Sequence, residues 1–319
     1  MASSYTVKNI RVTFTLTNSN AVFPGTNSNT LQVSGLRMSA VVKQSGIPAF
    51  PEATLRIYGM RQADMNALAR VQTDSGKPQY TRNTMQIEAD SGSGFVYIFS
   101  GQIIQSGPEY SESPDVYLMV HGQNGGYEQL TPAQPTAFPG IAQWSDIIGS
   151  IASKLSFTFE NDGVTGSTTN AYFSGTLMSQ LRQAVRAAGA YLAVDPGETS
   201  SIIITPAGMA RTTIQPFLLT PQSGLVGYPQ VLGNGYLNVR SVFNPALRLL
   251  GPLTIQGSDV VIDQNIGTQA GTQATLNSSA NGNWAIGPLV HTIECQKPGG
   301  AWFTDMKLWP PGALPAVQS

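Results

Sequence analysis

The hydrophobic period of this chain changes twice, from two residues to about 3.6 and back, and that alternation limits the architectures open to it. Ile10-Arg-Val-Thr-Phe-Thr-Leu-Thr17 sets apolar and polar side chains by turns and is rich in β-branched residues, the pattern of a strand with one buried face. Leu31 to Ser34 after the Pro24-Gly25 turn, Leu36 to Lys43, and Ala53 to Tyr58 continue it. Past Gly59, residues Arg61 to Val71 carry Met65, Leu68 and Ala69 at helical spacing, which predicts one short helix. Met85 to Ala89, Gly94 to Ile103 and Val116 to Val120 then resume the strands. A curled antiparallel sheet or small barrel with one helix fits this first third.

The centre reads differently. Ser145 can cap a helix carrying Ile147, Ile148, Ile151, Ala152 and Leu155, followed by a strand at Phe157 to Phe159. A second helix runs from Leu177 to Ala188, with Leu177, Leu181, Ala184, Val185 and Ala188 on one stripe and Gly189 where a left-handed terminator sits. Tyr191 to Val194 and Ser201 to Thr205 flank the turn Asp195-Pro-Gly197 and predict a hairpin. Helix, strand, helix and hairpin make an α+β module of about 80 residues.

Past Pro216 strands return at Leu237 to Phe243, Leu253 to Gln256, Val260 to Ile262, Trp284 to Ile286, Leu289 to Ile293 and Ala301 to Leu308. Ile266 to Asn283 is almost devoid of apolar residues and is expected to be a long loop, mobile or ordering on assembly, and the tail after Pro310-Pro311-Gly312 is expected to fray. The expected class is α+β, mainly β. Its expected units are a first barrel at 1–125, a connecting α+β domain at 126–215 and a second barrel at 216–319.

Charge is scarce: 17 Lys and Arg stand against 18 Asp and Glu, 11% of the chain, where an ordinary domain carries about a quarter. A net charge of -1 without a basic cluster argues against a nucleic-acid groove, and 12 Phe, 11 Tyr and 4 Trp argue against disorder. The single cysteine, Cys295, offers no internal disulfide. Met1 to Ile10 lacks the apolar region of an export signal, and no run of about 18 apolar residues marks a membrane-spanning helix, so neither export nor membrane anchoring is expected. Ser, Thr, Asn, Gln and Gly replace the missing charge. Partner subunits covering much of the surface would account for this, as would a neutral, loop-rich monomer.

Reactive constellations are not apparent. His121 and His291 both fall in expected strands without a nucleophile-elbow sequence, and two distant His with one Cys make no zinc site. Glu109, Glu112 and Asp115 lie among turn residues and read as a solvated loop rather than a glycosidase pair. Gly92-Ser-Gly94 and Gly233-Asn-Gly235 lack the strand-loop-helix context of a phosphate loop and read as turns. No catalytic residue, metal ligand or cofactor is therefore assigned.

The informative stretch is C-terminal. Gly224-Leu-Val-Gly227-Tyr228-Pro229 precedes Tyr236 to Phe243-Asn244-Pro245, then Gly251, Trp284, His291 and Gly299-Gly300-Ala-Trp302 follow. Asn244-Pro245 ends a strand in a turn, Gly299-Gly300 permits positive φ, and Trp302 reads as a core aromatic. Gly300→Val is accordingly expected to strain the backbone and Trp302→Ala to open a cavity. This series, with the helix-strand-helix-hairpin module before it and Leu36 to Met60 as an opening barrel, resembles the central baseplate hub proteins of contractile phage tails.

The resemblance covers most of the chain. It implies two barrels similar to tail-tube subunits plus a connecting domain, assembled as a homotrimer whose six barrels form a pseudo-sixfold ring. Such a ring would join a hexameric tail tube to a trimeric central spike and line the channel through which genomic DNA passes without specific binding. Baseplate wedge proteins are further implied partners, and the implied location is the virion tail, assembled in the host cytoplasm. The two barrel regions do not align with each other by eye. No β-helix repeats follow Pro310-Pro311, so a separate spike protein is expected. Two other classes compete: a carbohydrate-binding tail adhesin, disfavoured by the central helices, and a cell-wall hydrolase, disfavoured by the sparse His and acids.

Overall fold

A computed structural model of the chain describes residues 8–17, 21–46, 49–69, 83–195, 197, 200–232, 235–257, 261–262 and 280–312. The expected loop from Ile266 and the terminal tail lie almost wholly outside these residues, as do Arg70, Val71, Gly233 and Asn234. The first third forms β1 (Asn9–Thr15), β2 (Thr30–Ser34), β3 (Met38–Gln44), β4 (Glu52–Tyr58), α1 (Gln62–Leu68), β5 (Thr84–Asp90), β6 (Phe95–Glu109) and β7 (Tyr117–Gln123). Period two places Ile10, Val12 and Phe14 of β1 inside, opposite Ala89, Ile87 and Met85 of β5, while Arg11 faces Glu88 on the outer side. Cross-strand partners thus share burial, which is what holds the register.

The central part adds β8 (Thr136–Gln143), α2 (Trp144–Lys154), β9 (Thr158–Asn161), β10 (Ser167–Phe173), α3 (Leu177–Ala187), β11 (Ala190–Asp195) and β12 (Ser201–Pro206). Both expected helices and the hairpin are present, but Ser145 is not the cap of α2. Gln143 occupies that position without a side-chain bond, because β8 runs directly into the helix. Thr176 does cap α3, accepting from the Ser179 backbone N–H, and Gly189 ends it with φ 61°. The run Ile202-Ile-Ile204 is apolar on both sides because its sheet is covered on both sides. Leu192, Val194, Ile202 and Ile204 meet the helices, whereas Ala193 and Ile203 pack with Leu249, Leu250, Ala285 and Trp309 of the C-terminal part.

That part contains β13 (Phe217–Leu219), β14 (Leu225–Val231), β15 (Leu237–Val242), β16 (Pro252–Ile255), β17 (Val261–Ile262), β18 (Gly282–Cys295) and β19 (Trp302–Trp309). The two strands expected at Trp284 and Leu289 are one, β18, with a register shift between Ile286 and Leu289. Gly287 sits in that shift with Trp309 against it: a Cβ there would lie 2.2 Å from the indole. Fourteen strands form one sheet in the order β17-β14-β15-β19-β18-β3-β4-β7-β6-β5-β1-β2, with β16 joining β18 and β13 joining β16. The class is the expected mainly-β α+β. Among the described residues, however, no strand order closes on itself, because β18 pairs with β3 and carries the sheet from one part into the other.

Two sheet cores result. The first holds Ile10, Phe14, Met38, Leu55, Ile57 and Phe99 together with Phe243, Ile293, Cys295 and Trp302. The second holds Leu219, Leu237, Leu253, Trp284, Ile286, Met306 and Leu308. Strands β18 and β19 therefore serve both, one end in each core.

A buried ionic cluster locks the α+β part to the C-terminal part. Asp195 accepts from Arg211 Nη1 at 2.9 Å and from Arg248 Nη1 at 2.7 Å, and Arg211 Nη2 also reaches Glu160 at 3.2 Å. The Arg211 side chain is only 6% exposed, so removing it empties a buried place between two carboxylates, leaving Glu160 without a cation and Asp195 with Arg248 alone. Arg211→Ala should cost about 3 kcal/mol in urea unfolding. Arg240→Ala, which breaks an exposed pair with Asp305, should cost under about 1 kcal/mol.

Candidate assembly site

Phe243, His291 and Trp302 come together where the two cores meet. Phe243 stands edge-on to both, its ring centroid 5.2 Å from His291 and 5.3 Å from Trp302. Strand pairing explains the convergence: His291 lies opposite Val42 on β3 and Thr304 on β19, while Trp302 lies opposite Ile293. Trp302 is 2% exposed and donates its indole N–H to Ser91 Oγ at 3.0 Å. The His291 ring bonds Thr304 Oγ1 through Nδ1 at 2.9 Å, and its burial, with the Arg248 charge second, pulls its pKa down to about 3. It is a neutral core imidazole, and both it and the Thr304 hydroxyl it bonds are buried away from solvent. His121 also sits in a strand, with Thr54 Oγ1 3.4 Å from its Nδ1.

The other residues singled out from the sequence shape turns and edges. Gly224 (φ 117°) and Gly227 (φ 69°) bend the backbone at β14, where Tyr228 is 62% exposed and Pro229 is buried. Asn244 accepts from the Ala246 N–H at 2.9 Å, making the expected turn with Pro245. Gly251 has no room for a side chain, since a Cβ would lie 2.9 Å from the Arg248 carbonyl oxygen. Trp284 donates to the Ala280 carbonyl at 2.8 Å. Gly299 has the expected positive φ, 65°, but Gly300 does not. Its constraint is crowding, because a Cβ there would meet Glu294 Cβ at 3.0 Å and the Lys297 carbonyl at 3.1 Å.

The acids expected in a loop are spent on that loop. Glu109 accepts backbone N–H groups of Ser111 and Tyr110, and these bonds lower its pKa. Glu112 accepts from Tyr58 at 3.1 Å and pairs with Arg56, while Asp115 pairs with Arg37. Glu294 feels burial pushing its pKa up, yet the bonds from Lys297 and Ala301 leave it lowered. A hydrolytic acid needs the opposite shift. Burial raises the pKa of the Cys295 thiol, which points at the Leu36 carbonyl. Among the described residues no group of three or more His, Cys, Asp and Glu is placed to hold a metal, and no helix is long and apolar enough to cross a membrane.

The described residues present sheet edges and exposed apolar side chains. Within the described residues β2 pairs only with β1, β13 only with β16 and β17 only with β14, so three strands present an edge. The separate β8–β10 ribbon leaves Ile141 76% and Tyr172 64% exposed. Exposed aromatic rings on Tyr110, Tyr172 and Tyr228 belong to different elements, which is unlike the single aromatic platform a sugar needs. The ribbon was not visible beforehand, although Thr136-Ala-Phe138 and Ala171-Tyr-Phe173 do alternate in burial. Pro139, Gly140 and Asn170 interrupt that pattern with a register shift.

Trp302→Ala should lower stability by about 3 to 5 kcal/mol through the cavity, and Gly300→Val should also melt earlier, by displacing Glu294 and Lys297. Below pH 6.5 an unfolded imidazole takes up a proton that buried His291 refuses until about pH 3. Stability should therefore be fully retained above that window and fall as pH drops through it, by at most about 1.4 kcal/mol per pH unit. In His291→Gln the slope of unfolding free energy against pH should flatten in that window, whatever the variant's absolute stability.

Comparisons with known proteins agree with this geometry. The chain is similar over most of its length to the 43 kDa tail protein of prophage MuSo2 from Shewanella oneidensis, at 10% identity and a TM-score of 0.56, covering 94% of this chain and 97% of that one. It is also similar to a tail protein from Neisseria meningitidis MC58, at 8% identity and a TM-score of 0.57, covering 95% and 97%. A third similar structure is an E. coli component of the type VI secretion system with structural similarity to T4 bacteriophage tail proteins, at 9% identity, a TM-score of 0.56 and coverage of 89% and 77%. Curated protein sequences give no match. These likenesses establish the fold. The family model described as baseplate hub gp41 matches residues 9–297, and the chain therefore belongs to the baseplate hub gp41 family.

Proposed function

We propose that three copies of this chain form a pseudo-sixfold ring joining a hexameric tail tube to a trimeric cell-puncturing spike, with the phage genome passing through its channel. Its family is a structural one of the phage baseplate, not an enzyme class. The observation that carries the proposal is the pair of sheet cores on one continuous sheet. Strands β18 and β19 enter both cores, so two lobes are held at a fixed angle, as a ring of six lobes from three chains requires. Unpaired edges at β2, β13 and β17 would provide side-by-side contacts, and heterologous contacts of this kind close into rings.

The units 1–125, 126–215 and 216–319 are proposed as the first lobe, the connector and the second lobe. A tube protein, a separate central spike and wedge proteins are the proposed neighbours, in the tail baseplate, after assembly in the host cytoplasm. The likeness to a secretion-system component that itself resembles T4 tail proteins supports partners of this kind. Low charge suits the role, because assembly contacts then depend on burial and are insensitive to salt. Native mass spectrometry of the purified chain should give a trimer, and negative-stain images should show threefold rings with six lobes. A stable monomer at high concentration that binds no cognate spike would overturn the proposal.

A further inference from the structure

Arg182 of α3 is a cation without a counter-ion. It pairs with no carboxylate among the described residues; its guanidinium lies 5.1 Å from the Phe50 ring centroid, and Nη2 donates to Gln129 Oε1 at 3.2 Å. Its Nε and the Gln129 Nε2 are sealed from solvent with no acceptor. Desolvation lowers the pKa of Arg182, and among the described residues only the Phe50 ring and the Gln129 amide oxygen offset it. Nη1 makes no protein hydrogen bond and is not sealed. The side chain is thus fixed by stacking and by Gln129 with one donor edge outward, which spares a ligand most of the ordering cost. Leu130, 54% exposed, follows Gln129 in sequence, and Arg186, exposed and without a carboxylate partner among the described residues, comes one helical turn after Arg182. An arginine beside apolar surface is the usual make-up of an energetic centre in a protein interface.

One described carboxylate has the matching deficit. Asp146, exposed in the first turn of α2, is reached only by Ser145 Oγ at 3.4 Å. The others meet a cation, as Glu52 and Asp305 do, a backbone N–H, as Asp90 and Asp162 do, or a short side-chain bond, as Glu128 does. Asp146 and Arg182 do not pair within one chain. We infer that they pair between copies: the Asp146 carboxylate of one protomer docks on the outward edge of the Arg182 guanidinium of the next. This inference rests on the ring proposed above. A head-to-tail ring brings a different surface of each copy against its neighbour, and that is the relation two unlike, unmatched charges need.

Charge reversal tests it in the full chain by sedimentation velocity and native mass spectrometry. Asp146→Arg alters an exposed side chain at the N-terminus of α2, so the chain should stay folded, with a slightly lowered melting temperature, yet weaken self-association at least about tenfold. Arg182→Asp should weaken association likewise, and Arg182→Gln, which removes the charge with a smaller change of shape, stands in if the aspartate variant does not fold. Combining Asp146→Arg with Arg182→Asp, or mixing the two folded single variants, should recover association. Wild-type assembly of the Asp146→Arg protein, or failure of the swap to recover association between folded variants, would overturn the pair and leave the ring intact. A wild-type chain that never associates would overturn both.

Discussion

Strand β18 is the element on which the rest of the structure depends, because among the described residues it is the one strand that hydrogen-bonds to both the N-terminal and the C-terminal strands. From Leu289 to Cys295 it pairs with β3 on one side and, as far as Ile293, with β19 on the other. Before the register shift it pairs with β16 instead, and Gly287 gives the Trp309 indole the space to lie against its backbone. Burial follows from that path. Ile286 and Leu289 belong to one core, Ile293 and Cys295 to the other. Two lobes linked by a flexible tether would move independently; two lobes sharing long strands cannot without breaking ladder hydrogen bonds.

The charges that remain are placed where they cost least or hold most. Arg11 with Glu88 is a cross-strand pair whose carboxylate is buried, and Arg11 and Arg240 lie near the Phe95 and Phe303 rings, whereas Lys43 with Glu52 and Arg240 with Asp305 are cross-strand pairs open to solvent. Such pairs set register rather than stability. The cluster of Arg211, Arg248, Asp195 and Glu160 is of another kind, since it is enclosed at the seam between the connector and the C-terminal part. Breaking one of its members would leave its neighbours charged and poorly solvated, so the seam is difficult to open.

Neutral chemistry runs through the whole molecule. His291 is kept uncharged by burial, the Cys295 thiol is pushed away from ionisation, and the acids of the 109–115 turn are used up by backbone N–H groups and nearby arginines. Few groups are left poised to react, which matches membership of a structural family. Arg182 and Asp146 have no ion-pair partner among the described residues and are not arranged for catalysis.

Local pattern was enough to place most elements. The alternation in Ile10 to Thr17 and Ala53 to Tyr58, the stripe Leu181, Ala184, Val185 with Gly189 after it, and the hairpin around Asp195 all stand where periodicity put them, because side-chain burial and backbone period are coupled residue by residue. The order of the C-terminal glycines, prolines and tryptophans likewise carried the family resemblance. Other features depend on partners distant in sequence and could not be read locally. Examples are the continuity of β18 through its shift, the Phe243–His291–Trp302 contact across three strands, the capping of α2 by Gln143 rather than Ser145, and the crowding rather than strain at Gly300. The sequence by itself determined most of the strands and helices and the face each of these buries, though not the β8–β10 ribbon or β13 and β14. Only the tertiary structure decided that the two sheets are one, since strand pairing between Met38 and Cys295 is chosen by long-range register and shared burial, not by anything adjacent in the chain.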